Sequence, residues 1–222
     1  RNDHLVAVIA QPLASRNANM TVRDIGGCLI DLTVRWSQSD QLSAFYPGAR
    51  KYPYRSLVVR DEDRSEVDIA GKHVTGKSGS ITVRSEGSEG RPTVEVTYSL
   101  RADSKQLIIT SRFHNETDSA IDVPVFDDMR VDSRNEDIVK SPNGRTPLFW
   151  IHDRFWGQAY GVKFLSGLVA ANSTSRTSKL KYESRAIWSS YHLKPGSSNP
   201  TRRGAKNSSV ARCISRLCGT NG

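Results

Sequence analysis

Apolar and polar residues alternate with a period of two wherever the chain shows a clear pattern. Near residue 30, apolar residues at every second position share one side of an extended segment: Ile30, Leu32, Val34 and Trp36. This spacing is typical of a half-buried β-strand, because successive side chains of a strand point to opposite faces. Helical periodicity is nearly absent. The pattern therefore predicts a chain built from strands.

The clearest predicted hairpin lies between residues 94 and 113. An alternating run is followed by the polar turn 101–105 and then by a second alternating run. A period of two predicts one shared buried face for Val96, Tyr98, Leu100, Leu107 and Ile109. A third run at 121–125, interrupted by Pro124, is predicted to continue the meander as an edge or bulged strand.

Shorter apolar runs separated by Gly, Ser, Asn and Pro predict further strands at 57–60, 81–84, 160–164, 168–171 and 186–193. Two Pro- and Gly-containing stretches, 40–54 and 132–147, are predicted to be long surface loops. Each half-apolar sheet must cover its inner face with another sheet. We therefore predict an all-β antiparallel sandwich, with a single domain over residues 1–193.

The net charge of +9 invites a nucleic-acid interpretation, but its location argues against one. Six of the 32 basic residues lie at 194–222, where there is no Asp or Glu, and the other 26 face 23 acidic residues. The body is thus almost balanced, and nucleic-acid binding is disfavoured. The basic segment lacks aromatics and alternation, which predicts a disordered or atypical C-terminal tail.

The sequence offers little support for a membrane span, a metal or a cofactor. The longest apolar run, 5–10, is six residues, against roughly 20 for a membrane helix. Cys213 and Cys218 lack zinc-ligand spacing, so no metal site is predicted. The acids Asp127, Asp128 and Asp132 lie near two arginines, which favours surface ion pairs over a calcium loop. No cofactor motif is present, so no cofactor is predicted.

The stretch 149–160 is the most unusual segment, since it holds five of the 17 aromatic residues. Aromatic rings beside polar groups are typical of sugar-binding clefts, because sugar C–H faces stack on rings while polar groups bind the hydroxyls. The candidate ligand-binding residues are Trp150, His152, Asp153, Arg154, Trp156 and Gln158. The alternative, which the sequence favours, is that these aromatics belong to the sandwich core.

The strand, turn and strand at 94–109, followed by Phe113-His114-Asn115-Glu116-Thr117-Asp118 and the run 121–125, resemble galactose-mutarotase-like supersandwich domains. The segment Tyr191-His192-Leu193-Lys194-Pro195-Gly196 is similar to the turn before the last strand of such domains. The resemblance covers about residues 25–196. In catalytic mutarotases two histidines and a carboxylate act on the sugar, but no histidine here matches theirs, so the catalytic residues are unassigned.

The resemblance implies a non-catalytic module of a larger bacterial secreted or envelope protein, and hence an extracellular or cell-envelope location. It predicts a structural or carbohydrate-associating role, with carbohydrate or other domains of the parent protein as partners. The alternative is a carbohydrate-active enzyme of mutarotase-like type with its cleft near residues 149–160. An enzyme requires convergent histidine and carboxylate groups in an open cleft, and a structural module does not.

Overall fold

The computed structural model describes residues 1–13, 25–36, 42–70, 73, 75–116, 126–131, 136–140, 148–153, 158–170, 181–192 and 211–214. Within these ranges the chain forms thirteen β-strands and one 3₁₀ turn at Pro47–Arg50, without an α-helix. All the paired strands run antiparallel. The predicted all-β antiparallel class is confirmed.

The strands, numbered in chain order, form two sheets. The five-stranded sheet has the order β1 (Leu5–Ile9), β2 (Leu29–Val34), β3 (Leu42–Tyr46), β8 (Phe126–Val131), β13 (Ala211–Ile214). The eight-stranded sheet has the order β4 (Ser56–Arg60), β5 (Ser78–Ser85), β6 (Thr93–Arg101), β7 (Leu107–His114), β12 (Lys181–His192), β11 (Gln158–Ala170), β10 (Leu148–Asp153), β9 (Glu136–Lys140).

The core lies between the two sheets. Leu29 and Phe45 of the five-stranded sheet belong to the same buried cluster as Val96, Ile109 and Tyr160 of the eight-stranded sheet. The predicted hairpin is confirmed as β6 and β7, which pair through Tyr98↔Ile109. Its predicted face is also confirmed: Leu100 is partly buried against the cluster, and the other four residues are fully buried in it.

A β-bulge in β2 corrects the predicted face of that strand. Val8 pairs with Asp31 and Ile9 pairs with Leu29, so Ile30 is an extra residue without a partner in β1. The extra residue reverses the alternation, and Leu29 and Leu32 are both fully buried in the same core although they are three positions apart. Ile30 instead packs against a second cluster of Cys28, Ala44 and Tyr46.

Trp36 was predicted to share the apolar face of this strand, and that prediction is wrong. β2 ends at Val34, and Trp36 is 67% exposed, with its ring 6.1 Å from the ring of His4. The period of two stops applying where the chain leaves the sheet, so an apolar residue just beyond a strand is not drawn into the core.

The predicted meander after β7 is wrong as well. β7 lies between β6 and β12, and β8 belongs to the other sheet, where β3 and β13 flank it. The run predicted at 121–125 lies outside the described residues. A local pattern identifies a strand, but the choice of neighbour depends on which pairing buries more apolar surface in the whole fold.

Both stretches predicted as long loops contain strands. The 40–54 stretch holds β3 and the 3₁₀ turn, and the 132–147 stretch holds β9. The two short strands predicted at 160–164 and 168–171 are one strand, β11, with a bulge between Leu165 and Leu168. Pro47 and Gly48 do lie in a turn, but β3 and β9 have only five residues each, too few for their alternation to stand out.

The C-terminal segment predicted as a tail contains one described element. Residues 211–214 form β13, which pairs with β8 through Arg212↔Asp128 and Cys213↔Asp127. These four residues are therefore part of the sheet, as its edge strand. The division of the chain near residue 194 stays a prediction.

Candidate functional site

The aromatic stretch forms the last hairpin of the eight-stranded sheet. Strand β10 pairs with β11 through Trp150↔Gly161, Ile151↔Tyr160 and His152↔Ala159. Strand β11 continues the row of neighbours to β12 through Ala159↔Tyr191 and Tyr160↔Ser190. Among the described strands, the segment therefore lies near one edge of the sheet, with β9 alone beyond β10.

The two faces of this hairpin have different environments. Tyr160 is 1% exposed and belongs to the core cluster between the sheets, so its face of β11 is the inner face. On the opposite face of the same sheet, the charged side chains of Arg84 and Glu95 form an ion pair of 3.3 Å and are both more than a third exposed. The outer face therefore meets water at β5 and β6, whereas Ala159 and Gly161 on the outer face of β11 are buried.

The outer face of β11 carries two small residues between larger ones. Ala159 has His152 and Tyr191 as register neighbours, and Gly161 has Trp150 on β10. Residues directly opposite each other in antiparallel strands share a face. We refer to the positions 150, 152, 159, 161 and 191, which are register neighbours on the outer face, as the trough.

The inner face carries a row of polar residues at the same end of the sheet. Four register partners follow one another across β9, β10, β11 and β12: Glu136, Asp153, Gln158 and His192. Gln158 is 1% exposed, so this polar row is covered at its centre. Two carboxylates, an amide and an imidazole in one row are the groups that either bind hydroxyls or transfer protons.

The six candidate residues from the sequence do not form one site. Trp150 and His152 occupy the outer face, and Asp153 and Gln158 occupy the inner face. Arg154 and Trp156 lie outside the described residues. The two described groups are separated by the thickness of the sheet, because neighbouring residues of a strand point to opposite sides.

Sequence reasoning missed the residues that β9 and β12 bring to the hairpin. Tyr191 joins the trough, and Glu136 and His192 join the polar row. Tyr191 and His192 stand 32 and 34 positions along the chain from their register partners Ala159 and Gln158. Only the pairing of β12 with β11 brings these residues to the hairpin, and no local pattern in the sequence predicts that pairing.

Asp127, one of the three aspartates predicted to form surface ion pairs, binds a backbone N–H group. Asp127 is partly buried in β8, and its Oδ1 accepts a hydrogen bond from the Gly48 backbone N–H at 2.9 Å. The carboxylate thus holds the 3₁₀ turn against the sheet. The ion-pair prediction for these acids stays a prediction; Asp132 lies outside the described residues, and the side chain of Asp128 is not described.

Two buried phenols lie in the electrostatic field of Asp127. The Tyr54 hydroxyl donates to the Pro47 carbonyl at 3.1 Å, and the Tyr98 hydroxyl donates to the Gly27 carbonyl at 2.8 Å. Burial raises the pKa of Tyr54 well above its ordinary value, and the Asp127 carboxylate raises it further. Burial also raises the pKa of Tyr98 well above its ordinary value, with smaller contributions from Cys28 and Tyr54.

Glycines complete this tyrosine cluster, which comprises Tyr54, Tyr98, Asp127, Gly27 and Gly48. Gly27 has φ +81°, and a Cβ there would lie 2.7 Å from the Tyr54 Cβ. Gly48 has φ +67°, and a Cβ there would lie 2.4 Å from the Tyr52 ring. Both the left-handed backbone and the close approach require glycine. The cluster is a packed structural clamp, since its hydroxyls are already bonded to backbone.

No group of three or more metal-ligating side chains comes together in the part of the chain that the structure describes. In the same ranges, no helix is long and apolar enough to cross a membrane.

Comparison with known proteins supports the fold alone. No protein-family model and no curated protein matches the chain. Among solved structures, the chain is similar to a TPR-domain containing protein from Parabacteroides distasonis, with 13% identity and a TM-score of 0.53 over 93% of this chain. The match covers 49% of that protein, so the chain spans about half of its length.

A second match is the galactosidase domain of an alpha-galactosidase-sucrose kinase. It has 8% identity and a TM-score of 0.35, and it covers 75% of this chain and 32% of that one. We draw nothing about fold or function from a likeness at this level. The mutarotase-like family expected from the sequence is not shown by these comparisons, and the chain is established as an all-β, two-sheet protein.

Proposed function

We propose that the chain is a non-catalytic β-sandwich module of a larger protein and that it associates with carbohydrate through the trough. The observation that carries this proposal is the register that places Trp150, His152 and Tyr191 around the small residues Ala159 and Gly161 on the outer face of the sheet. Aromatic faces stack on the C–H faces of a sugar ring, and an imidazole exchanges hydrogen bonds with sugar hydroxyls.

The charge pattern on β5 and β6 of the same sheet supports a neutral ligand. On the same face, Arg84 is paired with Glu95 and Glu86, so this surface presents balanced charge rather than a basic track. A polyanion would gain little there, because phosphate binding depends on uncompensated cations. A neutral sugar needs stacking and hydrogen bonds, which the trough residues provide by type.

Glycan-array binding by the full chain, followed by calorimetry on the best ligand, tests the proposal. Replacing Trp150 or Tyr191 by alanine should weaken binding about tenfold or more, because aromatic anchors dominate such contacts. His152→Ala should also weaken binding. Its matched control is Asp153→Ala at the next position of the same strand, which lies on the opposite face and should leave affinity unchanged.

A thermal melt of each variant separates binding from folding. An aromatic residue in the core would cost about 3–5 kcal/mol on truncation to alanine. Loss of binding at an unchanged melting temperature supports the trough. Destabilisation by Trp150→Ala in a chain that binds no glycan would leave a purely structural module.

The second candidate is a carbohydrate-active enzyme of mutarotase-like type, which the polar row favours. A carboxylate and an imidazole on one face are suited to moving protons between a sugar hydroxyl and ring oxygen. Polarimetry of freshly dissolved galactose and glucose tests this directly. Acceleration of anomer exchange that His192→Ala abolishes and His152→Ala retains would establish the enzyme and overturn the non-catalytic proposal.

A further inference from the structure

Strand β1 is the outermost strand of the five-stranded sheet, and its hydrogen bonds to β2 follow even-numbered residues. The His4 carbonyl accepts from the Arg35 N–H at 2.9 Å, and the Ala10 N–H donates to the Cys28 carbonyl at 2.9 Å. Hydrogen bonding to one neighbour alternates along an antiparallel strand. The backbone groups of Leu5, Ala7 and Ile9 therefore point away from β2, toward the free edge.

Asn2 closes one end of this edge. Its Oδ1 accepts the Leu5 N–H at 2.7 Å, and its own N–H donates to the Leu5 carbonyl at 3.0 Å. Its Nδ2 donates to the Arg101 and Ser104 carbonyls, which anchors it to the turn between β6 and β7. The edge that stays open thus comprises the N–H and C=O groups of Ala7 and Ile9, and in the described residues β1 has no partner other than β2.

The open groups of Ala7 and Ile9 lie on either side of Val8, so two copies of the edge can pair through a two-fold axis. When two copies of β1 run antiparallel with Val8 facing Val8, Ala7 of each copy stands opposite Ile9 of the other. Both pairs are then hydrogen-bonding pairs, which gives four inter-chain hydrogen bonds and uses every open group. Val8 becomes the non-hydrogen-bonded pair at the axis, where the two side chains approach most closely.

We propose that a second copy of this chain is the partner of the β1 edge and that two copies join their five-stranded sheets through a two-fold axis at Val8. Isologous pairing of one patch with itself is the commonest form of protein assembly. An open edge without charge or proline is a template for such pairing. The sequence Leu5-Val6-Ala7-Val8-Ile9 has neither, and Pro12 ends the run.

Exposed apolar side chains along the edge fit the same arrangement. Val8 is 40% exposed, and Trp36 and Leu13 are also exposed. Trp36 packs beside His4 at one end of β1, and Leu13 follows its other end. Self-pairing at Val8 covers the Val8 side chain, the exposed apolar residue of the strand itself.

Sedimentation velocity over a range of concentrations tests the proposal. The wild-type chain should form a dimer with a concentration-dependent monomer fraction. Val8→Lys places two like charges at the axis and should raise the dimer Kd about tenfold or more. The matched control is Ile69→Lys, at a residue of 45% exposure in the connection that follows β4, which should leave the Kd unchanged.

Mixing two variants of opposite charge distinguishes charge repulsion at the axis from misfolding, because a misfolded variant would not recover dimerisation in the mixture. Val8→Lys and Val8→Glu should each be monomeric alone and should form a dimer when mixed, since opposite charges then meet at the axis. Dimerisation of Val8→Lys as strong as that of the wild type would overturn the proposal. A monomeric wild type at all concentrations, or no recovery in the mixture, would do so too.

The register itself is tested by a disulfide. Non-hydrogen-bonded partners of an antiparallel pair have Cα atoms about 4.5 Å apart, which suits a disulfide. Val8→Cys should give a covalent dimer on mild oxidation, beyond the level of the wild type with its native cysteines. Ile69→Cys should not. Equal cross-linking by both variants would contradict pairing at Val8.

Discussion

Two neighbouring parts of the same core cluster, which share Tyr98, are stabilised in different ways. Around the β6–β7 hairpin, Val96, Ile109 and Phe113 are buried among other apolar side chains. Around the 3₁₀ turn, the tyrosine cluster buries hydroxyls and a carboxylate, each bonded to a backbone group. The first region depends on buried area, which has no preferred direction. The second depends on hydrogen-bond geometry. A substitution that changes the shape of the site should therefore destabilise it even when little buried area is lost.

Ile109→Ala should give the largest loss of stability, since it removes apolar atoms from the fully packed region and leaves a cavity. We expect about 2–5 kcal/mol in chemical denaturation. Ser99→Ala, on the outer face of the partner strand, is the control and should change stability by no more than about 0.5 kcal/mol. Similar small changes in both variants would refute the register of the hairpin.

Gly27→Ala tests the tyrosine cluster, where shape rather than area should dominate. A left-handed residue other than glycine costs about 1–2 kcal/mol, and overpacking against the Tyr54 Cβ adds about 1–3 kcal/mol. Gly90→Ala is the matched control, because Gly90 has φ +71° but nothing within 4 Å of its added Cβ. Equal destabilisation of the two variants would mean that the contact with Tyr54 contributes nothing.

Alkaline pH should lower the free energy of unfolding through the tyrosine cluster. Burial raises the pKa values of Tyr54 and Tyr98 above the ordinary 10.0 that they regain on unfolding. Their contribution to stability is therefore complete below about pH 10 and is lost as the pH rises through the folded pKa values. The double variant Tyr54→Phe with Tyr98→Phe should show a shallower alkaline decline in free energy of unfolding. An unchanged slope would contradict the assignment.

Asp127→Asn separates charge from hydrogen bonding in the same cluster. The amide oxygen can still accept the Gly48 N–H, so the fold should persist, while the loss of negative charge should lower the pKa of Tyr54. Ultraviolet titration of the phenols measures this shift. A Tyr54 pKa that stays in place would mean that burial alone raises it.

Truncation after Gly196 should have the smallest effect on stability, although it removes β13 from the edge of β8. In this structure Cys213 of β13 is the register partner of Asp127, so the deletion also asks whether the tyrosine cluster needs that strand. We expect a nearly unchanged melting temperature and a lower net charge. Loss of cooperative unfolding would make the segment part of the core and refute the division near residue 194.

The sequence by itself determined the all-β class and the inner face of the β6–β7 hairpin. There, Glu95 and Thr97 alternate with Val94, Val96 and Tyr98, so one face is plainly polar and the period of two has a single solution. Such a pattern is local, and it survives whatever the rest of the chain does.

The tertiary structure decided everything that depends on which strands become neighbours. In the structure β8 belongs to the other sheet, β2 has a bulge at Ile30, and the aromatic stretch is divided between the two faces of its sheet. It also brought Tyr191 and His192 to a hairpin far away in sequence. The physical reason is that strand pairing is chosen by the burial of the whole interior, and no single segment of the sequence encodes that sum.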